Sequence, residues 1–196
     1  TGEAARIDGH AWRRRAGAVL TGFGTLREDD PRLDVRLVPT NCQPLRVVID
    51  SRLAIDPAAR VLQPPGAALL YTTSDDEARA AALRNAHVEI ARLPAEASGK
   101  TDLHALVADL ARRGINELHV EAGHKLNGSL LRAGLVDELL VYLAPRLFGG
   151  GLGMASFGPL ASLDDSLDWQ FTDIARVGAD LRLLARRVAP CEGQGQ

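Results

Sequence analysis

Short runs of β-branched and other apolar residues alternate with helical patterns along most of this chain. The short runs predict β-strands, and apolar residues spaced three or four apart predict the helices between them. Strands are expected at residues 18–21, 45–50, 68–72, 88–91, 118–121 and 139–145. Helices are expected at residues 3–15, 75–84, 103–113 and 125–133. The alternation predicts an α/β domain with a mostly parallel central sheet flanked by helices.

The last part of the chain has a different pattern. Residues 169–176 and 180–187 alternate in hydrophobicity on either side of Val177-Gly178-Ala179. Alternation with a period of two around a short glycine turn predicts an antiparallel hairpin, so a purely parallel, doubly wound sheet is disfavoured. We expect a single domain over residues 1–189 and a polar tail over residues 190–196 that frays.

Composition excludes several classes of protein. The 196-residue chain has 46% apolar and 24% charged residues, which is typical of a packed globular domain. Its net charge of -2 provides no excess of cations to neutralise phosphates, so nucleic acid is not an expected partner. No apolar run approaches the roughly 18 residues of a membrane span. The two cysteines, Cys42 and Cys191, lie far apart, which argues against a disulfide framework and fits a reducing cytoplasm.

The segment over residues 115–131, INELHVEAGHKLNGSLL, contains the most informative pattern. A predicted strand ends in Glu121, a loop contains Gly123 and Gly128, and a helix follows. Backbone N–H groups at such a helix start, together with the helix dipole, form a site for an anion such as phosphate. A P-loop is excluded because Ser129 stands where that motif needs lysine, and the GxGxxG pattern of dinucleotide-binding folds is absent. Glycines that merely turn the chain remain an alternative.

A second segment with paired glycines covers residues 18–36. Gly22 and Gly24 follow a predicted strand and would permit a flat or phosphorylated ligand to approach the backbone closely. Thr25 and Glu28 have the spacing of a capping box, which predicts a helix start at this point. A second capping box is predicted at Ser74 with Glu77, and Asp102 is predicted to cap a later helix.

Charged residues near these segments are candidates for a binding site. Asp29 and Asp30 precede a proline at the end of a short helical turn, and for Asp30 a solvated turn is the favoured interpretation. Sugar phosphates are commonly bound by arginine forks, so Arg36 and the run Arg13-Arg14-Arg15 are candidates. The same run fits an exposed helix end, where positive charge complements the dipole. The pattern leaves open which arginine binds phosphate.

One partial motif points to a metal. His119-Val120-Glu121 matches the His-x-Glu half of a zinc deaminase, but the other half requires Pro-Cys-x-x-Cys, and Pro190-Cys191 lacks the second cysteine. His119 alternates with apolar residues, so a core or surface histidine is the favoured interpretation. No two histidines have the i, i+4 spacing of a helical zinc site. No metal is expected.

Several blocks occur together in an order that is specific to one family. They are Thr-x-x-x-Asp-Asp-Pro-x-Leu from Thr25 to Leu33, Val-Ile-Asp-Ser from Val48 to Ser51, and Val-Glu-x-Gly from Val120 to Gly123. The helix at the start, the strand after the loop and the final hairpin extend the likeness. Over nearly its whole length the chain resembles the reductase domain of the bifunctional riboflavin-biosynthesis deaminase/reductase.

The resemblance implies a dihydrofolate-reductase-like three-layer fold with NADPH as hydride donor. It implies 5-amino-6-(5-phosphoribosylamino)uracil as substrate, whose ribose is reduced to a ribityl chain. The implied substrate contacts are Arg13, Leu33, Arg36 and Glu121. The implied NADPH contacts are Thr25, Asp29, Ser51, Gly123, His124, Lys125, Leu126, Asn127, Gly128 and Ser129.

Two of these residues are the candidates for catalysis. Glu121, and second Asp29, are expected to have a polar or proton-relay role, and a purely positioning role fits either residue equally well. We further infer that Ser51 and Arg52, at the end of a strand, hold the 2′-phosphate that distinguishes NADP from NAD.

The resemblance also implies features beyond these residues. In the family a strand precedes the position of Thr1, and a zinc deaminase domain accompanies the reductase, either in the same chain or as a separate protein. A homodimer is implied, and the apolar run over residues 139–147 fits either an interface or a buried strand. His124-Lys125 replaces the more usual small or Pro-Thr pair in the loop. Two alternatives stay open, namely another oxidoreductase of this fold with a different substrate, and a noncatalytic nucleotide-binding module.

Overall fold

The computed structural model describes residues 1–162 and 165–188, so the predicted tail at 190–196 lies outside the described residues. In this part of the chain the helices are α1 (Glu3–Arg15), α2 (Phe23–Asp29), α3 (Glu77–Leu83), α4 (Leu103–Arg112) and α5 (His124–Arg132), with a short 3-10 helix at Arg60–Leu62. The strands are β1 (Ala18–Gly22), β2 (Leu45–Ile49), β3 (Ala68–Thr72), β4 (Val88–Arg92), β5 (Leu118–Val120), β6 (Glu138–Leu143), β7 (Trp169–Val177) and β8 (Asp180–Arg187).

The first five strands form a parallel sheet in the order β4-β3-β2-β1-β5. Successive side chains on a strand point to opposite faces, and Val19 and Leu20 of β1 are both buried, each in a different apolar cluster. Leu83 of α3 packs into the first cluster and Leu106 of α4 into the second. Helices therefore cover both faces of the sheet, which confirms the predicted three-layer α/β arrangement.

The remaining strands form an antiparallel sheet in the order β6-β8-β7. The predicted hairpin is confirmed as β7 and β8, and it turns at Gly178, whose φ of 64° favours glycine. β6 was predicted as a strand, and it pairs with β8 instead of extending the parallel sheet. Most residues of β6 are only half-buried, so β6 is not a fully buried central strand.

Side-chain contacts attach α1 to this second sheet. The Tyr142 hydroxyl donates to Asp8 Oδ2 at 2.6 Å, and Arg182 Nη1 lies 3.1 Å from the same oxygen. The Gly2 N–H donates to Asp180 Oδ2 at 2.7 Å. Because these contacts join α1 and its N-cap residue to β6 and β8, they fix the position of α1 relative to the antiparallel sheet.

The start of α2 differs from the prediction. The helix begins at Phe23, so Thr25 lies inside it and the predicted capping box with Glu28 is wrong. The glycine before Phe23 supplies no capping side chain, which leaves the Thr25 hydroxyl available for another partner. Asp30 ends the helix at a φ of 40°, and its Oδ1 accepts the Arg60 N–H at 2.9 Å. Asp30 therefore holds a chain segment, and the prediction of a merely solvated turn is wrong.

The starts of the next two helices are capped by aspartates. The Asp76 carboxylate accepts the Arg79 N–H at 2.8 Å, so α3 begins after Asp76 and the predicted cap at Ser74 is wrong. A carboxylate directly before the first helical residue is placed to accept that bond, whereas Ser74 lies two residues too early. Asp102 caps α4 as predicted.

Candidate active site

The candidate site lies where β1 and β5 end side by side. These strands are parallel neighbours, so their carboxyl ends lie at the same edge of the sheet, where ligands of such sheets bind. Glu121 directly follows β5. Its N–H donates to the Leu20 carbonyl at 2.9 Å, and its carbonyl accepts from the Thr21 hydroxyl at 2.7 Å. The backbone at Glu121 is therefore held by the neighbouring strand.

Arg13 binds the side chain of Glu121. Arg13 lies in the last turn of α1, and its Nε and Nη2 donate to the two oxygens of the carboxylate, the second bond at 2.6 Å. The Arg13 Nη1 donates to the Asp34 carbonyl at 3.0 Å. The Arg13 side chain is 15% exposed and that of Glu121 is 29% exposed, so water screens the pair only partly.

The ion pair determines the charge of Glu121. Burial favours the neutral acid, but hydrogen bonds and positive charge from Arg13 and His119 outweigh burial and lower the pKa of Glu121 to about 2. Glu121 is therefore a carboxylate at neutral pH. In this state it accepts hydrogen bonds and stabilises nearby positive charge, and it holds no proton to donate.

His119 is a second partner of Glu121. Residues two apart on a strand lie on the same face, and His119 Nε2 lies 3.3 Å from Glu121 Oε1. The sequence favoured a core or surface histidine over a zinc ligand, and the His119 side chain is 18% exposed and lies beside the candidate catalytic carboxylate.

Arg36 is held by two other groups. Its Nη1 lies 2.6 Å from Asp34 Oδ1, and its backbone N–H donates to Nδ1 of His10 at 3.1 Å. His10 is buried, and burial together with the positive charges of Arg13 and Arg36 lowers the pKa of its imidazole. The imidazole is therefore neutral at pH 7, with Nδ1 as acceptor.

These residues surround one cavity of about 540 Å³, which lies within the usual range for small-molecule sites. We call it the Glu121 cavity. It is lined by Ala5, Arg6, Gly9, His10, Arg13, Arg36, Leu37, His119, Val120, Glu121, Leu140 and Tyr142. Three of the four predicted substrate residues, namely Arg13, Arg36 and Glu121, are thus brought together.

Leu33, the fourth predicted substrate residue, has a different environment. Its side chain is 2% exposed and packs in the apolar cluster beneath the sheet with Leu26 and Val48. Its φ of 55° lies in the left-handed region, which is uncommon for leucine. Leu33 therefore anchors the bend that leads to Arg36, and its side chain is not among those that line the Glu121 cavity.

The start of α5 adjoins the cavity. Gly123 precedes the helix and has no capping side chain, and its own N–H donates to the Thr25 hydroxyl at 3.1 Å. This bond brings the start of α5 next to α2, so two of the predicted cofactor residues are in direct contact. His124 and Lys125 form the first turn of α5, where free backbone N–H groups attract an anion.

The rest of the predicted cofactor loop lies within α5. The Asn127 amide donates to the carbonyls of Ala122 at 3.1 Å and Met154 at 2.9 Å. Gly128 lies against the backbone of Ser156, where an added Cβ would be 2.0 Å from the carbonyl oxygen. These two residues therefore pack the helix against residues 154–156. Leu126 and Ser129 also belong to this helix, and the Ser129 hydroxyl donates to the Lys125 carbonyl at 3.1 Å.

Asp29 and Ser51, two further predicted cofactor residues, are not among those that line the Glu121 cavity. Asp29 is exposed and follows Thr25 by four residues in α2, so the two share a helix face. Ser51 follows β2, and its hydroxyl lies 3.1 Å from the buried hydroxyl of Thr101.

Sequence reasoning missed His10, Asp34 and Tyr142 as parts of the site. His10 precedes Arg13 by three residues on α1, so helical spacing placed it on the same face. Asp34 alternates with two arginines at positions 32 and 36, a pattern that could have indicated an ion-pair cluster. Nothing in the sequence around Tyr142 pointed to the site.

Residues 1–162 and 165–188 show neither a metal centre nor a membrane-spanning helix. In this part of the chain, no group of three or more histidine, cysteine, aspartate or glutamate side chains is arranged to hold a metal ion. Cys191, which the zinc motif would have needed, lies outside these residues. None of the helices found there combines the length and hydropathy required to cross a membrane.

The parallel sheet, the appended antiparallel sheet and the edge cavity define an α/β domain with a candidate small-molecule site at the carboxyl end of its strands. The sequence profile of the RibD C-terminal domain matches residues 1–183. The chain belongs to the RibD C-terminal domain family, as the sequence blocks predicted.

Individual relatives agree with this assignment. The riboflavin biosynthesis protein RibD of Escherichia coli is 37% identical over 196 residues, which cover 93% of this chain and 52% of that protein. The 5-amino-6-(5-phosphoribosylamino)uracil reductase of Buchnera aphidicola subsp. Acyrthosiphon pisum is 27% identical over 197 residues, covering 94% of this chain and 93% of that protein. A solved structure of Acinetobacter baumannii RibD superposes with a TM-score of 0.81 at 28% identity, covering 96% of this chain and 51% of that one. The chain spans about half the length of the RibD proteins it matches.

Proposed function

We propose that this domain reduces 5-amino-6-(5-phosphoribosylamino)uracil to its ribitylamino form, with NADPH as hydride donor. One observation carries the proposal. Glu121, in the cavity, and Gly123, at the start of α5, are separated by a single residue, so a polar cavity and an anion-binding helix start share one short loop. Such a loop suits two ligands that react with each other.

The Glu121 cavity fits the proposed substrate. A phosphorylated sugar needs a cation, and Arg36 lines the cavity with its side chain 48% exposed. A uracil and a sugar present hydroxyl and N–H donors, and the ionised Glu121 is a strong acceptor for them. Arg13 already binds both oxygens of Glu121, so in this proposal Arg13 mainly orients the carboxylate and Arg36 binds the phosphate.

The residues around α2 and α5 fit a dinucleotide. The uncapped start of α5 offers backbone N–H groups to a pyrophosphate, and the Thr25 hydroxyl holds that start in place. Ser51 and Arg52 follow β2 at the same sheet edge, and Arg52 is exposed. A hydroxyl and an arginine at a strand end suit the 2′-phosphate of NADPH.

Glu121 has a defined role in this reaction. The anomeric carbon of the ring-opened sugar imine would accept the hydride that NADPH would supply when bound. The carbon–nitrogen double bond becomes a single bond, and the nitrogen keeps a proton taken from solvent. Because Arg13 keeps Glu121 ionised, its carboxylate stabilises the protonated, positively charged imine instead of donating a proton. Asp29 is proposed to contact the cofactor from the Thr25 face of α2, with a polar role in catalysis as the second candidate.

The test is NADPH oxidation by the purified chain with the phosphoribosylamino-uracil, run beside NADH and dihydrofolate. Turnover that prefers NADPH and is lost in Arg36→Ala supports the proposal. Arg14→Ala is the matched control, since Arg14 lies one residue after Arg13 and is exposed. Turnover of dihydrofolate alone would establish another oxidoreductase of this fold, and NADPH binding without turnover would indicate a binding module.

Three further properties belong to the same proposal. We infer a cytoplasmic enzyme, supported by two widely separated cysteines and bacterial relatives. We infer that a zinc deaminase acts on the same pathway, because the matched RibD proteins are about twice as long as this chain and one related structure is described as a deaminase and reductase.

We also infer a homodimer. Leu147 and Phe148, just after β6, are almost fully exposed, and Leu143 within β6 is half-exposed. Adjacent exposed apolar residues favour association. Sedimentation of the wild type as a dimer and of Phe148→Glu as a monomer supports this assignment, and a monomeric wild type refutes it.

A further inference from the structure

Asp34 lies beside the Glu121 cavity and contacts three arginines. Its Oδ1 lies 2.6 Å from Arg36 Nη1, its Oδ2 lies 3.0 Å from Arg32 Nε, and its carbonyl accepts from Arg13 Nη1 at 3.0 Å. The Asp34 side chain is 3% exposed. We propose that Asp34 is a positioning residue that holds Arg36 in its phosphate-binding orientation and thereby gives the site its preference for a phosphorylated sugar. The inference rests on the proposed function and deepens it.

The fold fixes Asp34 from both sides. The preceding Leu33 is buried in the core with a left-handed backbone. The following Val35 is also buried, and the Gln43 side chain pairs with both its N–H at 2.7 Å and its carbonyl at 2.8 Å. Asp34 therefore keeps its place independently of the arginines. It can act as a fixed anchor for side chains that are themselves half-exposed.

The anchor leaves most of Arg36 available. A guanidinium has five N–H donors, and the contact with Asp34 engages only Nη1. The backbone N–H of Arg36 is held separately by His10, so both ends of the residue are restrained. A guanidinium that is already oriented loses less conformational freedom when a phosphate binds.

The charge of Asp34 alone would weaken phosphate binding, because a carboxylate repels a nearby phosphate. The arrangement limits this repulsion. Arg13 and Arg36 line the Glu121 cavity and Asp34 does not, so the guanidinium groups separate the carboxylate from the bound ligand. Three arginines face two carboxylates in this cluster, which leaves a net positive charge for a phosphate dianion.

Positioning of Arg36 by Asp34 and repulsion of phosphate by Asp34 predict opposite changes in affinity. Ribose 5-phosphate and ribose are the probes that distinguish them. Titration calorimetry is performed on the wild type and Asp34→Asn, with Asp75→Asn as a control for the same change of charge at an exposed position. We expect Asp34→Asn to weaken ribose 5-phosphate binding about tenfold and to leave ribose binding within about twofold. Equal or tighter binding of ribose 5-phosphate by Asp34→Asn overturns the inference, since repulsion would then be the larger effect.

A double-mutant cycle separates positioning from a general structural role. If Asp34 acts through Arg36, then Arg36→Ala costs much less ribose 5-phosphate affinity in the Asp34→Asn background than in the wild type. Additive losses overturn the inference. If the Asn variant does not fold, Asp34→Glu is used in its place, because it keeps the charge and moves the carboxylate by one methylene. Retained affinity in that folded variant also overturns the inference.

The same data distinguish the inference from the proposed function. If wild-type ribose 5-phosphate binding is unaffected by Arg36→Ala, Arg36 is not the phosphate ligand and the proposed substrate site fails. If Arg36→Ala abolishes binding while Asp34→Asn does not change it, the proposed function stands and only the role of Asp34 fails. With turnover, we expect Asp34→Asn to raise KM about tenfold and to change kcat less than about twofold.

Discussion

Arg13 in α1 binds both carboxylate oxygens of Glu121, the residue that follows β5, although the two lie 108 residues apart in the sequence. The pair joins the first helix of the chain to the edge of the parallel sheet. Together with His119 it lowers the pKa of that carboxyl to about 2, so Glu121 is ionised at neutral pH and holds no proton to donate. The charge and the orientation of the Glu121 side chain therefore depend chiefly on Arg13, with His119 as a second partner.

Replacing Glu121 tests this dependence. We expect Glu121→Gln to lower the free energy of unfolding by about 2 kcal/mol, because the guanidinium of Arg13 loses a charged acceptor in a partly buried position. We also expect kcat/KM to fall about 100-fold, since the carboxylate no longer stabilises positive charge in the transition state. Urea unfolding and initial rates with saturating NADPH measure the two effects.

Glu117→Gln is the matched control. Glu117 pairs with Arg15, two residues after Arg13, at 2.6 Å, but both side chains are about half-exposed. An exposed pair contributes less than about 1 kcal/mol, so this variant should unfold and react almost as the wild type does. Equal effects of the two substitutions on the free energy of unfolding and on kcat/KM would show that the partial burial of the Arg13–Glu121 pair contributes to neither.

The pKa of His10 predicts how stability depends on pH. Burial and the charges of Arg13 and Arg36 lower this pKa below the ordinary value of 6.5, so the unfolded chain takes up a proton at a higher pH than the folded protein does. The contribution of His10 to stability is therefore fully present above pH 6.5 and is lost as the pH falls toward the folded-state value. Unfolding in urea at pH values from about 8 to 5 measures the decline.

His10→Gln should remove this part of the pH dependence. A glutamine oxygen can accept the Arg36 N–H in place of Nδ1, and the amide does not titrate. His87→Gln serves as control, because His87 is exposed and its replacement should leave the decline as in the wild type. A His10→Gln variant with an unchanged decline below pH 6.5 would mean that other groups cause it.

The fold could be predicted largely from local patterns. Every predicted helix and strand is present within about two residues at each end, because period and turn residues act over short distances. The hairpin was predicted by alternation around Gly178. The partner of β6 was not predicted, since strand pairing depends on contacts between distant segments. The predicted helix starts at Thr25 and Ser74 were wrong, because α2 begins two residues before Thr25 without a capping side chain and Asp76 caps α3 in place of Ser74.

The site was predicted only in part. Motif resemblance named Arg13, Arg36 and Glu121, which the structure places around one cavity. It did not indicate that Arg13 binds Glu121, because the approach of α1 to β5 is a tertiary arrangement. The role of Asp34 depends on the left-handed backbone at Leu33. Leucine rarely adopts this conformation, so the sequence did not predict it.

Gly128 provides a test of the packing around α5. A Cβ at this position would lie 2.0 Å from the Ser156 carbonyl oxygen, so Gly128→Ala must displace the backbone of residues 154–156. We expect the free energy of unfolding to fall by about 2 kcal/mol, as for other overpacked sites. Gly9→Ala is the control, because Gly9 lies inside α1 with nothing within 4 Å of an added Cβ.

The control is expected to change stability in the opposite direction. Alanine favours a helix interior over glycine by up to about 1 kcal/mol, so Gly9→Ala should unfold at a higher urea concentration than the wild type. If the Gly128→Ala variant is as stable as the wild type, residues 154–156 can move away from α5 without lowering the free energy of unfolding.

Arg52 provides the last prediction, which concerns the cofactor. Arg52 follows Ser51 at the carboxyl end of β2, and its side chain is exposed while its N–H is held by Asp50 Oδ1 at 3.2 Å. An arginine with a fixed backbone and an exposed side chain suits a phosphate on a ribose. We expect Arg52→Gln to raise KM for NADPH about tenfold and KM for NADH less than about twofold.

The comparison of the two cofactors makes this result specific, because they differ only in the 2′-phosphate. Arg112→Gln is the control, since Arg112 is an exposed arginine at the end of α4 and pairs with Asp109 on its own helix. An equal rise of KM for both cofactors would show that Arg52 acts on the shape of the β2 end and not on the phosphate. No change for either would place the 2′-phosphate elsewhere on this sheet edge, and the Ser51 hydroxyl, held by Thr101, would be the next residue to replace.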